Sequence, residues 1–197
     1  MVELRSKKML FYIMMMSCCF LFVNIDKLVK QNKQKEMVIY SINNATVIDF
    51  IEGRSHILIS DSVFFNDKSS FSYNIENFLV KKGVFSDEKR VLFCDNFDGN
   101  FVKKRKSVVI FGKNAIGLSD GSDFFKEELA YKIPLNYMLV YGRKRQSLVS
   151  LLNIYKFDNL IISSDVPRYL AAELIKEAGK LGIKYHDIRE KGVFFVK

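Results

Sequence analysis

"DNLIISSDVPRYLAAELIKEAGKLGIKYHDIREKGVFFVK", residues 158–197, is the stretch on which the fold turns. Asn159–Ser163 is a short apolar run of β type. Pro167 suits the first turn of a following helix, where a missing N–H costs nothing. Leu170, Leu174, Ala178 and Leu181 recur at helical spacing and predict that helix's buried stripe. Gly182 is placed to stop it. "GIKYHDI" and "GVFFV" then read as two strands. Strand, loop, helix and strand close an α/β domain, and the loop after the first of these strands is a common ligand position. The question raised is whether Ser163–Pro167 holds any chemistry.

Upstream, Met37–Ile42, Thr46–Ile51 and His56–Ser60 are short runs rich in β-branched residues. Asn43-Asn44 and a Gly53 turn separate them, so they predict a three-stranded meander ending at Asp61-Ser62. Ser69–Gly83 predicts a short helix capped by Asn74 and stopped by Gly83. Arg90–Asp95 predicts a strand, "NFDGN" a turn, and Lys106–Gly121 a hairpin turning at Gly112-Lys113. Leu135–Gly142 predicts a buried strand and Gln146–Tyr155 a helix. Early strands followed by alternating strands and helices indicate a layered α/β sandwich.

The chain has 197 residues, 49% hydrophobic and 27% charged, which marks a folded domain plus an appendage. Its formal net charge is +9. That suits an anionic partner, nucleic acid or a lipid surface, although a lysine-rich solvated surface gives the same total. Cys18, Cys19 and Cys94 form no C-x-x-C pair and too few bonds for a disulfide framework. The two histidines, His56 and His186, lie far apart in sequence.

Met9–Val23, "MLFYIMMMSCCFLFV", is an unbroken apolar run preceded by Arg5, Lys7 and Lys8. Extended through Ile25 and Leu28, it reaches the length of a short membrane helix. A signal segment and a buried core helix are the alternatives. The small-x-small cleavage pattern is missing, and Met15 fits poorly three residues before Cys18 in a lipoprotein site. Basic residues on both flanks leave orientation open. The organisation expected is a basic flank (1–8), a transmembrane helix (9–28), a polar linker (29–36) able to touch anionic headgroups, and an α/β domain (37–197).

The segments Met37–Ser62, Lys106–Gly121 and Leu135–Val196 together resemble, element by element, the C-terminal region of ComEC-type competence proteins, the inner-membrane DNA-uptake channels. Members from the Bacteroidetes are the most similar. The resemblance implies a metallo-β-lactamase-like layered sandwich, with the apolar helix in place of the channel's last span. It also implies that the chain is a C-terminal piece of a channel protein or a detached domain with its own anchor.

A metallo-β-lactamase site needs a His-x-His-x-Asp-His cluster and later His and Asp ligands, leaving one metal position open to water. The sequence does not supply them. Between Arg90 and the central hairpin only Cys94, Asp95 and Asp98 stand. Tyr141–Arg145 replaces a His-His-Gly-Ser stretch, and Asp165-Val166-Pro167 a Gly-His-Pro. His56 and His186 read as structural. Asp49, Asp61 and Asp120 read as turn-capping aspartates rather than a Mg²⁺ cluster. Ser163 and Ser164 sit in no Gly-x-Ser-x-Gly elbow or P-loop and read as helix caps. The resemblance therefore implies a degenerate domain with no catalytic residue, no metal and no cofactor, and no small-molecule substrate.

Two basic runs remain, Lys103-Lys104-Arg105-Lys106 and Arg143-Lys144-Arg145, with Lys81, Lys82, Lys89 and Arg90 as a third group. Such runs neutralise phosphates without reading sequence, and Phe101 and Tyr141 nearby offer faces for unpaired bases. Solvated loops account for the same residues. The expected function is a non-catalytic, single-pass inner-membrane domain with a structural or DNA-guiding role in DNA uptake. Its expected partners are the membrane, single-stranded DNA and the channel part of such a protein. A single-span envelope module unrelated to DNA and a nucleotide-binding enzyme using "IISSDVP" are the competing readings.

Overall fold

The computed structural model describes residues 2–84, 89–122 and 131–196. Helix α1 (Val2–Lys33) is followed by an antiparallel meander, β1 (Lys35–Ile42), β2 (Ala45–Glu52) and β3 (Ser55–Ser60). A helical stretch then crosses the outside of this sheet as α2 (Ser62–Asn66), α3 (Lys68–Phe71), a π-helical turn (Ser72–Glu76) and α4 (Asn77–Lys82). Next come β4 (Lys89–Leu92), β5 (Phe97–Asp98), β6 (Val102–Arg105), β7 (Val108–Phe111) and β8 (Asn114–Ser119). The last third holds β9 (Ile133–Pro134), β10 (Tyr137–Val140), α5 (Leu148–Leu152), β11 (Tyr155–Lys156) and β12 (Asn159–Ile162). It ends with α6 (Arg168–Leu181), β13 (Lys184–Asp187), α7 (Ile188–Lys191) and β14 (Phe194–Val196).

Five strands in the order β14-β1-β2-β3-β4 form one sheet, and seven in the order β13-β12-β10-β8-β7-β6-β5 form the other. The period of two decides what each strand buries. Met37 and Ile39 of β1, Ile48 and Phe50 of β2, and Ile57 and Ile59 of β3 point into the space between the sheets. There they meet Val102, Val109, Phe111, Ile116, Leu139 and Ile161 from the second sheet. The alternate residues Val38, Tyr40, Val47, Ile51 and Leu58 face outward and are covered by Phe64, Ile75 and Leu79 of the helical stretch. On the far side, Leu148 and Leu151 of α5 and Leu170, Leu174 and Ala178 of α6 cover Met138, Val140, Leu160 and Ile162. The domain is thus helix, sheet, sheet, helix, the layered α/β sandwich expected from the sequence.

Several local expectations are corrected. Leu181 is 44% exposed, because the last turn of α6 runs past the edge of the apolar cluster. Asn74 lies inside the π-helical turn rather than at a helix start. The helical stretch instead begins at Asp61, whose carboxylate accepts from the Phe64 N–H at 2.8 Å. Gly83 does end α4, at φ +70°. "NFDGN" contains β5, and the predicted helix at Gln146–Tyr155 shortens to α5 followed by β11. Arg90–Asp95 is strand only as far as Leu92. A short helix, α7, separates the two closing strands.

The polar segment expected as a linker continues α1 to Lys33, and Lys35 and Glu36 already pair in β1. Among the described residues, the apolar surface of α1 from Met9 onward packs against nothing in the domain. The junction itself is tied. Gln34 donates to the carbonyls of Gly53 at 2.6 Å and Lys82 at 3.1 Å, and its own carbonyl accepts from the Gly53 N–H. Gly83, at φ +70°, holds a left-handed backbone that favours glycine, and the end of the Gln31 side chain packs against it.

Strand direction gives the domain two ends. The β2–β3 turn at Gly53 and the β7–β8 turn at Gly112 lie at the α1 junction, where a Cβ on Gly112 would meet the Lys35 side chain. The β1–β2 turn, the β6–β7 turn and the C-terminal ends of β8, β10 and β12 lie at the other end. Eight residues of β2 separate the two, about 25 Å.

Candidate functional site

The end distant from α1 carries a cleft of about 810 Å³. Asp61 and Cys94 from the ends of β3 and β4, Arg105 and Lys106 from the β6–β7 turn, Asp120 after β8 and Tyr141 after β10 line it. Residues far apart in sequence therefore converge because parallel strands of both sheets finish at one level.

Most polar groups of the loop after β12 have structural duties, and Asp165 Oδ1 alone is buried among them without a hydrogen-bond partner. The Ser163 hydroxyl bonds Thr46 Oγ1 at 2.5 Å, and Ser164 Oγ donates to the Ile42 carbonyl at 2.6 Å. Both serines are buried and tie the second sheet to β1 and β2, so neither caps α6 as expected. Asp165 accepts from the Gly142 N–H at 2.9 Å, and Arg189 donates to the carbonyls of Ser164 and Val166. Pro167 stands as the cap of α6, with no side-chain hydrogen bond there.

Among the described residues, neither histidine lines the cleft, and Asp61, Cys94 and Asp120, which do, are not grouped to hold a metal ion. His56 is buried on the outer face of the first sheet, its Nδ1 3.1 Å from Asp49 Oδ1. Tyr40 donates to Asp49 Oδ2 at 3.1 Å. Asp49 is consequently a mid-strand residue in a buried polar group, not the turn residue expected. Burial, and then the neighbouring Asp49 carboxylate, push the Tyr40 phenol far above its usual range, so it stays a neutral donor. His186 Nε2 pairs with the Gly192 carbonyl at 3.0 Å, and its ring packs on Phe194. Asp61 caps α2, and Asp120 accepts from Ser122 N–H and Oγ, as turn aspartates do. Burial raises the Asp120 pKa, but the Ser122 hydrogen bonds and nearby Lys144 outweigh it and hold the carboxyl below its ordinary value. Among the described residues, no group of three or more His, Cys, Asp or Glu is placed to hold a metal ion. The donor set does not fit a binuclear centre.

The basic runs divide sharply. In β6, alternation puts Val102 and Lys104 inward and Lys103 and Arg105 outward. Lys104 is 0% exposed. Its ammonium donates to the carbonyls of Phe93 at 2.7 Å, Asp95 at 2.6 Å and Lys106 at 3.1 Å. Burial lowers its pKa, partly offset by Cys94 and Asp95. Lys104 therefore staples the loop after β4 to the second sheet and is withdrawn from any surface that DNA touches, which corrects its place among the candidate contacts.

The others are exposed. Lys103 and Arg105 share Asp98, at 3.7 and 3.0 Å. Arg145 pairs with Glu173 through two nitrogens, at 3.1 and 3.3 Å. Arg143 reaches Asn44 Oδ1 at 3.5 Å across the β1–β2 turn. Lys106 carries no ion pair among the described residues. The β6–β7 turn and the loop after β10 thus bring Arg105, Lys106, Arg143 and Lys144 to one end of the molecule, where Arg105 and Lys106 line the cleft.

The aromatic candidates are largely spoken for. Tyr141 stacks on Phe93 with centroids 4.4 Å apart, and Phe101 packs edge-on to Phe111 inside the core. The third basic group is structural in part: Lys82 pairs with Glu36 at 2.5 Å, and Arg90 lies over Phe65 and Phe71. The inward Lys104 is readable from strand alternation, whereas the cleft, built from seven segments, has no local signal.

A family model described as the ComEC C-terminal domain matches residues 37–197. No curated protein matches the chain. Among solved structures, it is similar to the metallo-β-lactamase fold protein YhfI from Bacillus subtilis, at 8% identity and a TM-score of 0.43. That likeness covers 83% of this chain and 100% of the other.

Proposed function

Because the chain belongs to the ComEC C-terminal domain family, a family of competence DNA-uptake proteins, we propose that it is a membrane-anchored, non-catalytic domain. It guides single-stranded DNA past the end of the domain remote from the membrane. Helix α1 supplies the anchor: a stretch of 18 residues within Met9–Lys33 has a mean hydropathy of 1.8, and none of it is buried among the described residues. The inner membrane is its location, and a channel part of the same system its neighbour.

The observation that carries the DNA reading is the placement of Lys106, Arg143 and Lys144 at the end of the domain that holds the cleft, with Lys106 in its lining. Cations so placed neutralise consecutive phosphates and read no sequence. The non-catalytic reading is supported by the donor chemistry. Both imidazoles are engaged elsewhere, and Asp61 and Asp120 hold turns. Incubation of labelled single-stranded DNA with the chain and Zn²⁺ or Mn²⁺ should leave the DNA intact. Metal-dependent cleavage lost in Asp120→Asn would reverse that conclusion.

The test of DNA guiding is the salt dependence of oligonucleotide binding by the full chain in nanodiscs of neutral lipid. Three phosphate contacts predict a slope of about −2 for log K against log salt. A slope near zero removes DNA from the account. It would favour the second reading, an envelope module unrelated to DNA, which the carboxylate pairing of Lys103, Arg105 and Arg145 supports.

A further inference from the structure

We propose that the α1 end of the domain is a basic collar seated on anionic lipid headgroups. The inference rests on α1 spanning a bilayer and is independent of the DNA reading. Met9–Leu28 supplies 20 residues, about 30 Å of helix, which matches a hydrocarbon core. Gln31 follows Leu28 by about 4.5 Å of rise and Gln34 by about 9 Å. These are depths within, or just beyond, the headgroup layer. The domain is bound to this same short segment. Gly83 packs on the Gln31 side chain, a Cβ on Gly53 would lie 3.3 Å from the Asn32 carbonyl, and Gln34 bonds Gly53 and Lys82. Gly112 packs on Lys35, the next residue. Three turns from both sheets are therefore held at headgroup level and cannot swing away while those contacts stand.

What the turns carry there is positive. Lys33, Lys81 and Lys113 are exposed and have no ion pair among the described residues. Among the described carboxylates beside the junction, Asp26 pairs with Lys30, Glu52 with Lys35, and Glu36 with Lys82. Cations fixed beside a bilayer are attracted to anionic headgroups and fade in effect within a Debye length. The occupant of this surface is thus the leaflet that α1 leaves. A free polyanion would have to displace it.

Amine-reactive footprinting of the full chain tests this. Nanodiscs of phosphatidylcholine alone are compared with discs containing phosphatidylglycerol, and modification is mapped by mass spectrometry. Labelling of Lys33, Lys81 and Lys113 should fall about threefold or more in the anionic discs, while Lys106 at the opposite end stays unchanged. Equal labelling in the two lipids overturns the proposal, including equal protection in both, which would mean proximity without charge recognition. A membrane-impermeant maleimide separates failure of the span itself. Cys94 is exposed and should react, whereas Cys18 and Cys19, mid-run in α1, should not. Reaction at Cys18 and Cys19 would remove the span and the collar together.

Discussion

Replacing Lys104 with methionine isolates the work of one buried ammonium. Methionine keeps most of the side chain's length and apolar body and removes the charge. Three carbonyls, those of Phe93, Asp95 and Lys106, then lose their donor. A hydrogen bond to a charged group is worth about 1.5–3 kcal/mol, and water reaching the partly exposed loop of Asp95 recovers some of it. The expected net loss is about 2–4 kcal/mol, a fall in Tm of about 5–12 °C for a domain of this size. Lys103→Met, on the outward side of the same strand, should stay within about 0.5 kcal/mol of the parent. Thermal unfolding followed by circular dichroism on both variants reads the difference. If Lys104→Met keeps the parent Tm and weakens oligonucleotide binding, the side chain points outward and the reasoning fails.

Leu174→Asp puts a carboxylate into the cluster between α6 and the second sheet and should cost about 4 kcal/mol or more, whereas Leu181→Asp should be nearly neutral; a melting comparison decides it. A chain beginning at Gln34 should melt several degrees above one beginning at Met37, because the Gln34 bonds to Gly53 and Lys82 contribute about 2 kcal/mol. The depressed Asp120 carboxyl stabilises the fold fully above its unfolded value, about pH 4, and this is lost as pH falls through the lower folded value. Asp120→Asn should therefore flatten the acid limb of a Tm-against-pH curve; an unchanged limb would mean that the Ser122 and Lys144 interactions contribute nothing.

What could be read ahead of the structure depended on how local the cause was. The meander β1–β3 was legible because each strand carries its own alternation and Gly53 its own turn. The stripe Leu170, Leu174 and Ala178 was legible for the same reason, at helical period. Leu181 fits that period equally well, but it lies past the edge of the sheet it would cover, and periodicity cannot see that edge. Asp49 looked like a turn residue because aspartate favours turns. Its flanking Val47 and Ile51 mark its face as buried, but its partners Tyr40 and His56 lie on neighbouring strands. Ser163 and Ser164 were placed correctly after a strand and given the wrong role, since their partners Thr46 and Ile42 stand more than a hundred residues earlier. In sequence the four-residue basic run reads as one block of charge. The pleat splits it, sending Lys104 inward and leaving Lys103 and Arg105 to Asp98.

The most direct test of the account is to map where DNA lies on the full chain in neutral nanodiscs, using single-stranded oligonucleotides bearing iodouracil and peptide mapping of the photo-adducts. The account predicts adducts at the end remote from α1, on peptides carrying Phe93 and Tyr141, that disappear in a Lys106→Glu, Arg143→Glu variant of unchanged Tm. Adducts confined to the Gly53 and Gly112 turns, or none above those given by a protein that does not bind DNA, would contradict it.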